Sequence, residues 1–352
     1  MEFEQDNNQA APLNPQPTPP IYNPNMAGPA IAQKSKGTGW RIFWGIVLAI
    51  SFMANVALFF MLIGVVAIFA TGQRGLLDEE IIRPGPARTK IAMVSVQGAI
   101  YGESANELYR QLKIVRKDKY VKGVIVRVNS PGGTISASDQ IHKEICKFRE
   151  EENMPVIAFM QGIAASGGYY TSVACDKIIA EPTTITGSIG VISWYLVMQD
   201  LLEDKLGIQP VTVKSGTKKD WPSSFRKPEP EEIQYIRDKL INPALERFIE
   251  IVAEGRKEKL SLEEVRQLAD GGIFGAQEAL DEKLIDQVGY LDEAIELVKS
   301  MAGIEKAQVV QYRKPFSFRD VLMQRKSNLF KLNRNTLYEL GTPQILYLWS
   351  AY

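Results

Sequence analysis

The sequence has almost no histidine: of 352 residues, one, His142, carries an imidazole. A metal centre built on several imidazoles is excluded by that count, and a serine–histidine–aspartate triad would have to rest on this single residue. Cysteine is nearly as scarce. Cys146 and Cys175 show neither CxxC nor metal-ligand spacing, so they are expected as buried free thiols, and no metal or cofactor is called for. Net charge is missing too, with 41 Lys and Arg against 41 Asp and Glu. Given that balance, and no zinc-finger or other nucleic-acid motif, no nucleic-acid partner is expected.

Large apolar side chains are few in residues 1–39, which are rich in Pro, Asn, Gln and Ala. Such a composition cannot offset chain entropy, and the segment reads as a disordered tail. From Ile42 to Ala70 the chain is apolar almost without a break, with Ser51 and Asn55 as interruptions. The run exceeds the roughly 20 residues a helix needs to cross a bilayer core. The long polar tail before it argues for an uncleaved anchor over a cleaved leader. Lys34, Lys36 and Arg41 flank it in front, and Arg74 is followed by Asp78, Glu79 and Glu80 behind. The positive-inside rule then puts the N-terminus in the cytoplasm and the body outside. The expected organisation is a tail (1–39), a transmembrane helix (40–71), a linker (72–88), a body (89–304) and a basic, aromatic C-terminal extension (305–352).

The body alternates strands with helices. Ile91–Val96, Gly123–Val128 and Val156–Phe159 read as strands, and "KIIAEP" and "IQPVTVKSG" as further β-rich runs. Ile141, Ile145 and Phe148 recur at i, i+4, i+7, the stripe of a helix on a sheet. "PEPEEIQYIRDKLINPALERFIEIVAEGRK" reads as one long helix, for core packing or assembly, and "SLEEVRQLADG" as a shorter one with a serine cap. The alternation implies an α/β domain with a mostly parallel sheet.

Two glycine-rich corners follow strands: "NSPGG" (Asn129–Gly133) and "GIAASGGYYTSVAC" (Gly162–Cys175), which puts Ser166 at the start of a helix. Ligands of open α/β folds gather at the carboxyl ends of parallel strands. Backbone amides at two such corners suit a developing oxyanion, with Gly133 and Gly167 the natural donors and Ser166 the nucleophile between them. The small residues serve equally to let the helix pack closely. For the base, His142 lies on the helix after NSPGG, where an ordinary boundary role is the plainer reading. Lysine can replace histidine, provided its pKa falls from about 10.4 to near 7, roughly 4–5 kcal/mol of differential solvation. "VKSGTKKDWPSS" offers Lys214, Lys218 and Lys219, and the motif alone does not choose among them.

Together "RVNSPGGTISASDQI", "GIAASGGYYTSVACDKIIAEPTTITGSIGVI", "VKSGTKKD" and "GGIFGAQEALDEKLIDQVG" resemble the signal peptide peptidase A family, membrane-anchored serine proteases of the serine–lysine dyad type (peptidase family S49), over roughly Thr89–Ile304. The resemblance implies a ClpP/crotonase-type α/β fold, a β-superhelix with flanking helices. It also implies Ser166 as nucleophile, Lys219 as general base, Ser188 of "TGSIGV" orienting the lysine, and Gly133 and Gly167 as oxyanion donors. Lys218 stands where the family commonly has an aromatic residue or histidine. The implied activity is endopeptidase degradation of cleaved signal peptides and similar peptides. Implied too are a homo-oligomer whose serine and lysine meet at subunit boundaries and a single-pass protein of a bacterial cytoplasmic membrane, with the catalytic domain outside. Two other readings share the fold: a crotonase-like acyl-CoA enzyme, which extracytoplasmic placement and the lack of paired carboxylates near the glycines disfavour, and a catalytically silent scaffold. The tail from Tyr312 interleaves Arg and Lys with Phe and Leu, which suits a membrane surface, a neighbouring subunit or an active site; a loosely ordered extension accounts for it equally.

Overall fold

A β-branched run without polar alternation belongs in a sheet covered on both faces. Val124, Ile125, Val126 and Val128 are such a run, fully buried in the third strand of the body. The computed structural model describes residues 37–71, 78–313 and 344–349. Nearly all of the tail read as disordered, the first part of the linker and most of the C-terminal extension lie outside them.

The strands are β1 (Asp78–Arg83), β2 (Lys90–Gln97), β3 (Val121–Ser130), β4 (Gly132–Thr134), β5 (Val156–Ala165), β6 (Lys177–Ala180), β7 (Ile185–Gly187), β8 (Ile192–Trp194), β9 (Ile273–Gly275), β10 (Gln287–Val288), β11 (Gln308–Arg313) and β12 (Gln344–Leu348). Among the described residues the main sheet runs β1-β11-β2-β3-β5-β6-β10. It is parallel from β11 to β10 and antiparallel at β1. β5 changes partner along its length: Ile157–Met160 pair with β6, and Ile163–Ala165 with β7, which β9 joins antiparallel. A second, antiparallel sheet has the order β4-β12-β8.

The helices are α1 (Thr38–Thr71), α2 (Gly102–Val115), α3 (Ile135–Glu152), α4 (Gly167–Ser172), α5 (Pro230–Ile236), α6 (Asn242–Gly255), α7 (Leu262–Leu268), α8 (Ala276–Asp281) and α9 (Leu291–Ala302). One face of the main sheet packs Val94, Val126, Val128 and Ala158 under Leu108 of α2, Phe148 of α3 and Phe248 of α6. The other packs Met93, Ile125 and Phe159 under Ile295 and Val298 of α9. This is the expected parallel-rich α/β architecture. In α1, taken by itself, Gly39–Val66 has a mean hydropathy of 2.6 over 28 residues. At 1.5 Å per residue that is about 42 Å, long and apolar enough to cross a core of about 30 Å.

Several elements differ from the sequence reading. "IQPVTVKSG" forms no strand: Val211 and Val213 stand 84% and 95% exposed, because strand propensity is realised only against a pairing edge and the chain offers none there. The long helix is interrupted by a π turn at Arg237–Ile241 between α5 and α6. Pro243, at the start of α6, has no N–H and crowds the carbonyl four residues back, so the regular ladder cannot pass through it. β1 comes from the stretch read as linker, and β11 from the start of the extension. Ser261 caps α7 as expected, in a reciprocal pair with Glu264, and both cysteines are free thiols.

Candidate active site

β5 ends at Ala165 and α4 begins at Gly167, so Ser166 makes the whole strand-to-helix turn. It does so with φ 54° and ψ −114°, a conformation that costs a non-glycine residue about 1–3 kcal/mol. The turn is pinned at both ends: Ser166 N–H donates to Gly187 O at 2.8 Å, and Ser166 O accepts from Tyr170 N at 2.8 Å. The residue is almost wholly buried, yet its Oγ has no hydrogen-bond partner among the described residues. Ala165 pairs with Gly187 in the parallel β5–β7 ladder. Ser166 and Ser188 therefore leave neighbouring strands side by side, at a strand spacing of about 4.8 Å. Ser188 also has positive φ, 48°, and its N–H donates to Gly272 O at 2.7 Å.

The amides arrive from the other corner. Gly132 O accepts from Ile100 N, and Thr134 N donates to Ile100 O, each at 2.8 Å. Strand alternation then turns the Gly133 N–H the opposite way, towards β12. Tyr347 of β12 stands opposite Gly133, and Trp349 N donates to Pro131 O at 2.8 Å. Gly132 has φ 100°, and a Cβ there would overlap the Tyr347 carbonyl oxygen while lying 2.8 Å from Gly167 N. A Cβ on Gly167 would come 2.5 Å from Ser138 Oγ and 3.1 Å from Gly132 Cα. The small residues thus serve both readings at once, close helix packing and close approach of a peptide backbone.

The side chain of Tyr347 fills a pocket behind this junction. Its ring stacks on Tyr170 at 5.1 Å and meets Phe248 at 4.7 Å, and its hydroxyl donates to Ala244 O at 2.7 Å. Tyr170 OH donates to Asp139 Oδ1 at 2.6 Å, and Arg247 pairs with the same carboxylate at 3.2 Å. Burial, then the Asp139 carboxylate, raises the Tyr170 pKa and keeps the hydroxyl a donor. Ile345, two residues earlier on the same side of β12, lines a second cavity of about 440 Å³ with Ser136, Asp139 and Arg247. Sequence reasoning missed Tyr170, Phe248 and Asp139 as site walls; the signal was the tyrosine pair directly behind Ser166.

The candidate bases separate by their partners. His142 meets the edge of the Tyr170 ring at 5.4 Å and Cys146 Sγ at 3.8 Å, and burial pushes its pKa down to about 4. It makes no hydrogen bond to Ser166. Lys214 is held by Thr217 O at 3.1 Å and Asp220 at 2.7 Å. Lys218 lies over the rings of Trp221 and Tyr235 and 3.6 Å from Glu231. Lys219, in the 3₁₀ turn Thr217–Asp220, is exposed, and its amine pairs with no described residue. One chain therefore brings Ser166, Ser188, Gly133 and Gly167 together, while the exposed Lys219 makes no hydrogen bond to any of them. Among the described residues no three His, Cys, Asp or Glu side chains form a metal-holding group.

Comparison with known proteins bears on this arrangement. The Clp protease family profile matches residues 87–184, and that of Peptidase family S49 matches residues 148–305. The chain is 40% identical over 248 residues to the "Putative signal peptide peptidase SppA" of Enterococcus faecium, a match covering 67% of this chain and 71% of that protein. This chain belongs to peptidase family S49. The S49 chain is also 38% identical over 222 residues to "Putative protease slr0021" of Synechocystis, covering 63% of this chain and 78% of the relative. To "Protease 4" of Haemophilus influenzae it is 36% identical over 229 residues, 63% of this chain and 36% of that protein. As an S49 peptidase it is a serine endopeptidase with a Clp-protease-like α/β domain. Its apolar helix and these relatives mark it as membrane-associated, and they do not favour the acyl-CoA reading.

Proposed function

We propose that this S49 peptidase hydrolyses cleaved signal peptides and similar membrane-released peptides through a serine–lysine dyad. Ser166 is the nucleophile, Lys219 the general base and Ser188 the acceptor that aims the lysine; Gly133 and Gly167 donate to the oxyanion. One observation carries the reading: a backbone carbonyl, that of Tyr347, lies where the Gly132–Gly133 corner meets the amide of Gly167, the residue directly after the buried Ser166. β12 thereby illustrates how a substrate strand would lie between β4 and β8. The residue whose carbonyl enters the junction would put a large apolar or aromatic side chain between Tyr170 and Phe248.

In the reaction Oγ of Ser166 attacks the carbonyl carbon while its proton passes to neutral Nζ of Lys219, and the oxygen gains the charge that the two amides meet. Collapse expels the amine, which takes the proton from Nζ. Water then repeats the sequence on the acyl-enzyme. Neutral Nζ requires desolvation, and an exposed Lys219 would acquire it by entering a neighbouring subunit beside that subunit's Ser166 and Ser188. The partnered state of Lys214 and Lys218 leaves Lys219 as the lysine free to do so. The apolar arm carrying Trp194, Leu206, Ile208, Val211 and Val213 is exposed in one chain and supports such an assembly.

The same proposal includes the layout along the chain: tail 1–39, single transmembrane helix 40–71, linker 72–88, protease domain 89–304 and extension 305–352, with β1 of the linker stretch and β11 and β12 of the extension joining the sheets of the domain. The N-terminus is cytoplasmic and the protease domain lies outside the bacterial cytoplasmic membrane. Signal peptides as substrates rest on the name of the Enterococcus relative and on the anchor. The test is hydrolysis of synthetic signal peptides by the full chain in detergent. Loss of cleavage and of fluorophosphonate labelling in Ser166→Ala is expected, and full-rate cleavage by that variant refutes the reading.

A further inference from the structure

The main sheet opens where β11 parts from β2. The last pair of their ladder is Gln311 with Met93. At Ser95 the strand amide is taken instead by Gln111 Oε1 of α2, at 3.0 Å, while Gln311 Nε2 donates to Ser95 Oγ at 3.3 Å. The gap holds a cavity of about 360 Å³, lined by Ser95, Ser104, Glu107, Arg127, Gln311 and Arg313 among others.

Arg127 enters the cavity from β3, in register with Ser95 on one side and Phe159 on the other. Its Nε is buried without a hydrogen-bond partner. The acid nearest in electrostatic terms, Glu80, is engaged by Arg313 at 2.9 Å. Burial, then the charge of Arg313, disfavours the cationic form of Arg127, and Glu80 offsets this in part. A guanidinium nevertheless keeps its proton in a protein, and buried donors are ordinarily satisfied. The residues proposed for the reaction lie in β4, at the ends of β5 and β7, and in the turn Thr217–Asp220, and make no use of it. Beside the unpartnered Nε, the Ser95 hydroxyl accepts from the Gln311 amide and keeps its own proton to donate, while Ser104 Oγ already donates to Ala99 O at 3.4 Å.

We propose that this cavity binds a small carboxylate, gripped by the Arg127 guanidinium with Arg313 and the Ser95 hydroxyl beside it. A planar fork matches a carboxylate edge to edge. The volume lies at the small end of ligand sites and suits one or two amino-acid residues. The carboxylate a peptidase itself generates is the new C-terminus of a peptide, and that is the ligand class assigned. The site does not depend on the identity of the dyad.

The test is calorimetric titration of the full chain, carrying Ser166→Ala to prevent turnover, with dialanine, dialanine C-terminal amide and inorganic phosphate. Saturable dialanine binding is expected, about tenfold weaker or more for the amide and for phosphate, and likewise about tenfold weaker in an added Arg127→Gln variant. Dialanine lodged in the substrate groove would be indifferent to Arg127. Equal binding of acid and amide, phosphate binding as tight as dialanine, or binding undiminished by Arg127→Gln overturns the proposal. Should the glutamine variant fail to fold, Arg127→Lys carries the same test, since it keeps the charge and loses the fork. Several-fold weaker binding then supports the site, and undiminished binding overturns it.

Discussion

Ser166 holds a backbone conformation that serine does not favour, and its neighbours explain why it stays there. The Gly187 carbonyl and the Tyr170 amide fix the turn from both sides, and the hydroxyl is left to face the groove. Ser166→Ala and Ser166→Gly should both lose hydrolysis, by about a thousandfold or more. The glycine variant should nonetheless be the more stable of the two by about 1 kcal/mol, since glycine adopts positive φ without strain; chemical denaturation compares them directly. Lys219→Ala should abolish cleavage while Lys218→Ala retains most of it, because Lys218 is engaged with Trp221, Tyr235 and Glu231; the reverse outcome would exchange the two. His142→Ala should cleave normally. At this scale the serine and the glycine corners were legible in the sequence, because a strand end followed by small residues is a local pattern. The pocket was not, because Tyr170, Phe248 and Tyr347 meet only through the tertiary fold.

Among the elements, the end of α6 is tied to the strand β10 by one buried ion pair. Arg256 and Asp286 are 4% and 8% exposed; the guanidinium also donates to the carbonyls of Lys283 and Ile285, and the carboxylate accepts from Ile178 N. Burial alone would raise the Asp286 pKa, but Arg256 and then Lys259 hold it below the ordinary carboxylate value. A depressed folded value means a stabilising contribution that is full above the unfolded pKa of about 3.9 and disappears as pH falls through the folded value. Asp286→Ala should therefore cost about 3–5 kcal/mol near neutrality, read by chemical denaturation. The gap between variant and parent should narrow below about pH 4. Most helices and parallel strands were legible from periodicity, α3 and β3 above all. The interruption before Pro243 was missed because a helical pattern of apolar residues continues across it. The 208–216 run was read as β-rich because its β-branched residues carry propensity but name no partner. β12 had the opposite difficulty: its pairing partners, β8 and β4, lie about 150 and about 210 residues earlier, and nothing local announces them.

For the whole molecule, the contrast between an exposed Lys219 and a buried Ser166 is the feature with the widest reach. If each site takes its lysine from a neighbour, Ser166→Ala and Lys219→Ala chains, inactive alone, should complement one another when co-assembled. At equal amounts and random assembly about a quarter of the sites would pair an intact serine with an intact lysine. Recovered activity far below that in a verified mixed oligomer would argue for a dyad completed within one chain. A related expectation concerns Val211 and Val213: charged residues there should dissolve the assembly, shift its sedimentation to smaller species and remove activity, while leaving the folded body intact by circular dichroism.

If a neighbouring copy supplies Lys219, turnover also becomes a matter of reaction order. A lone chain would carry a hydroxyl with no base to relieve it of its proton, and so could cut nothing while still being synthesised and exported. Cleavage would begin when enough copies have gathered in the same membrane to find one another. Specific activity should then fall on dilution of the detergent-solubilised protein and return on concentration, a threshold set by crowding in two dimensions without any separate inhibitor.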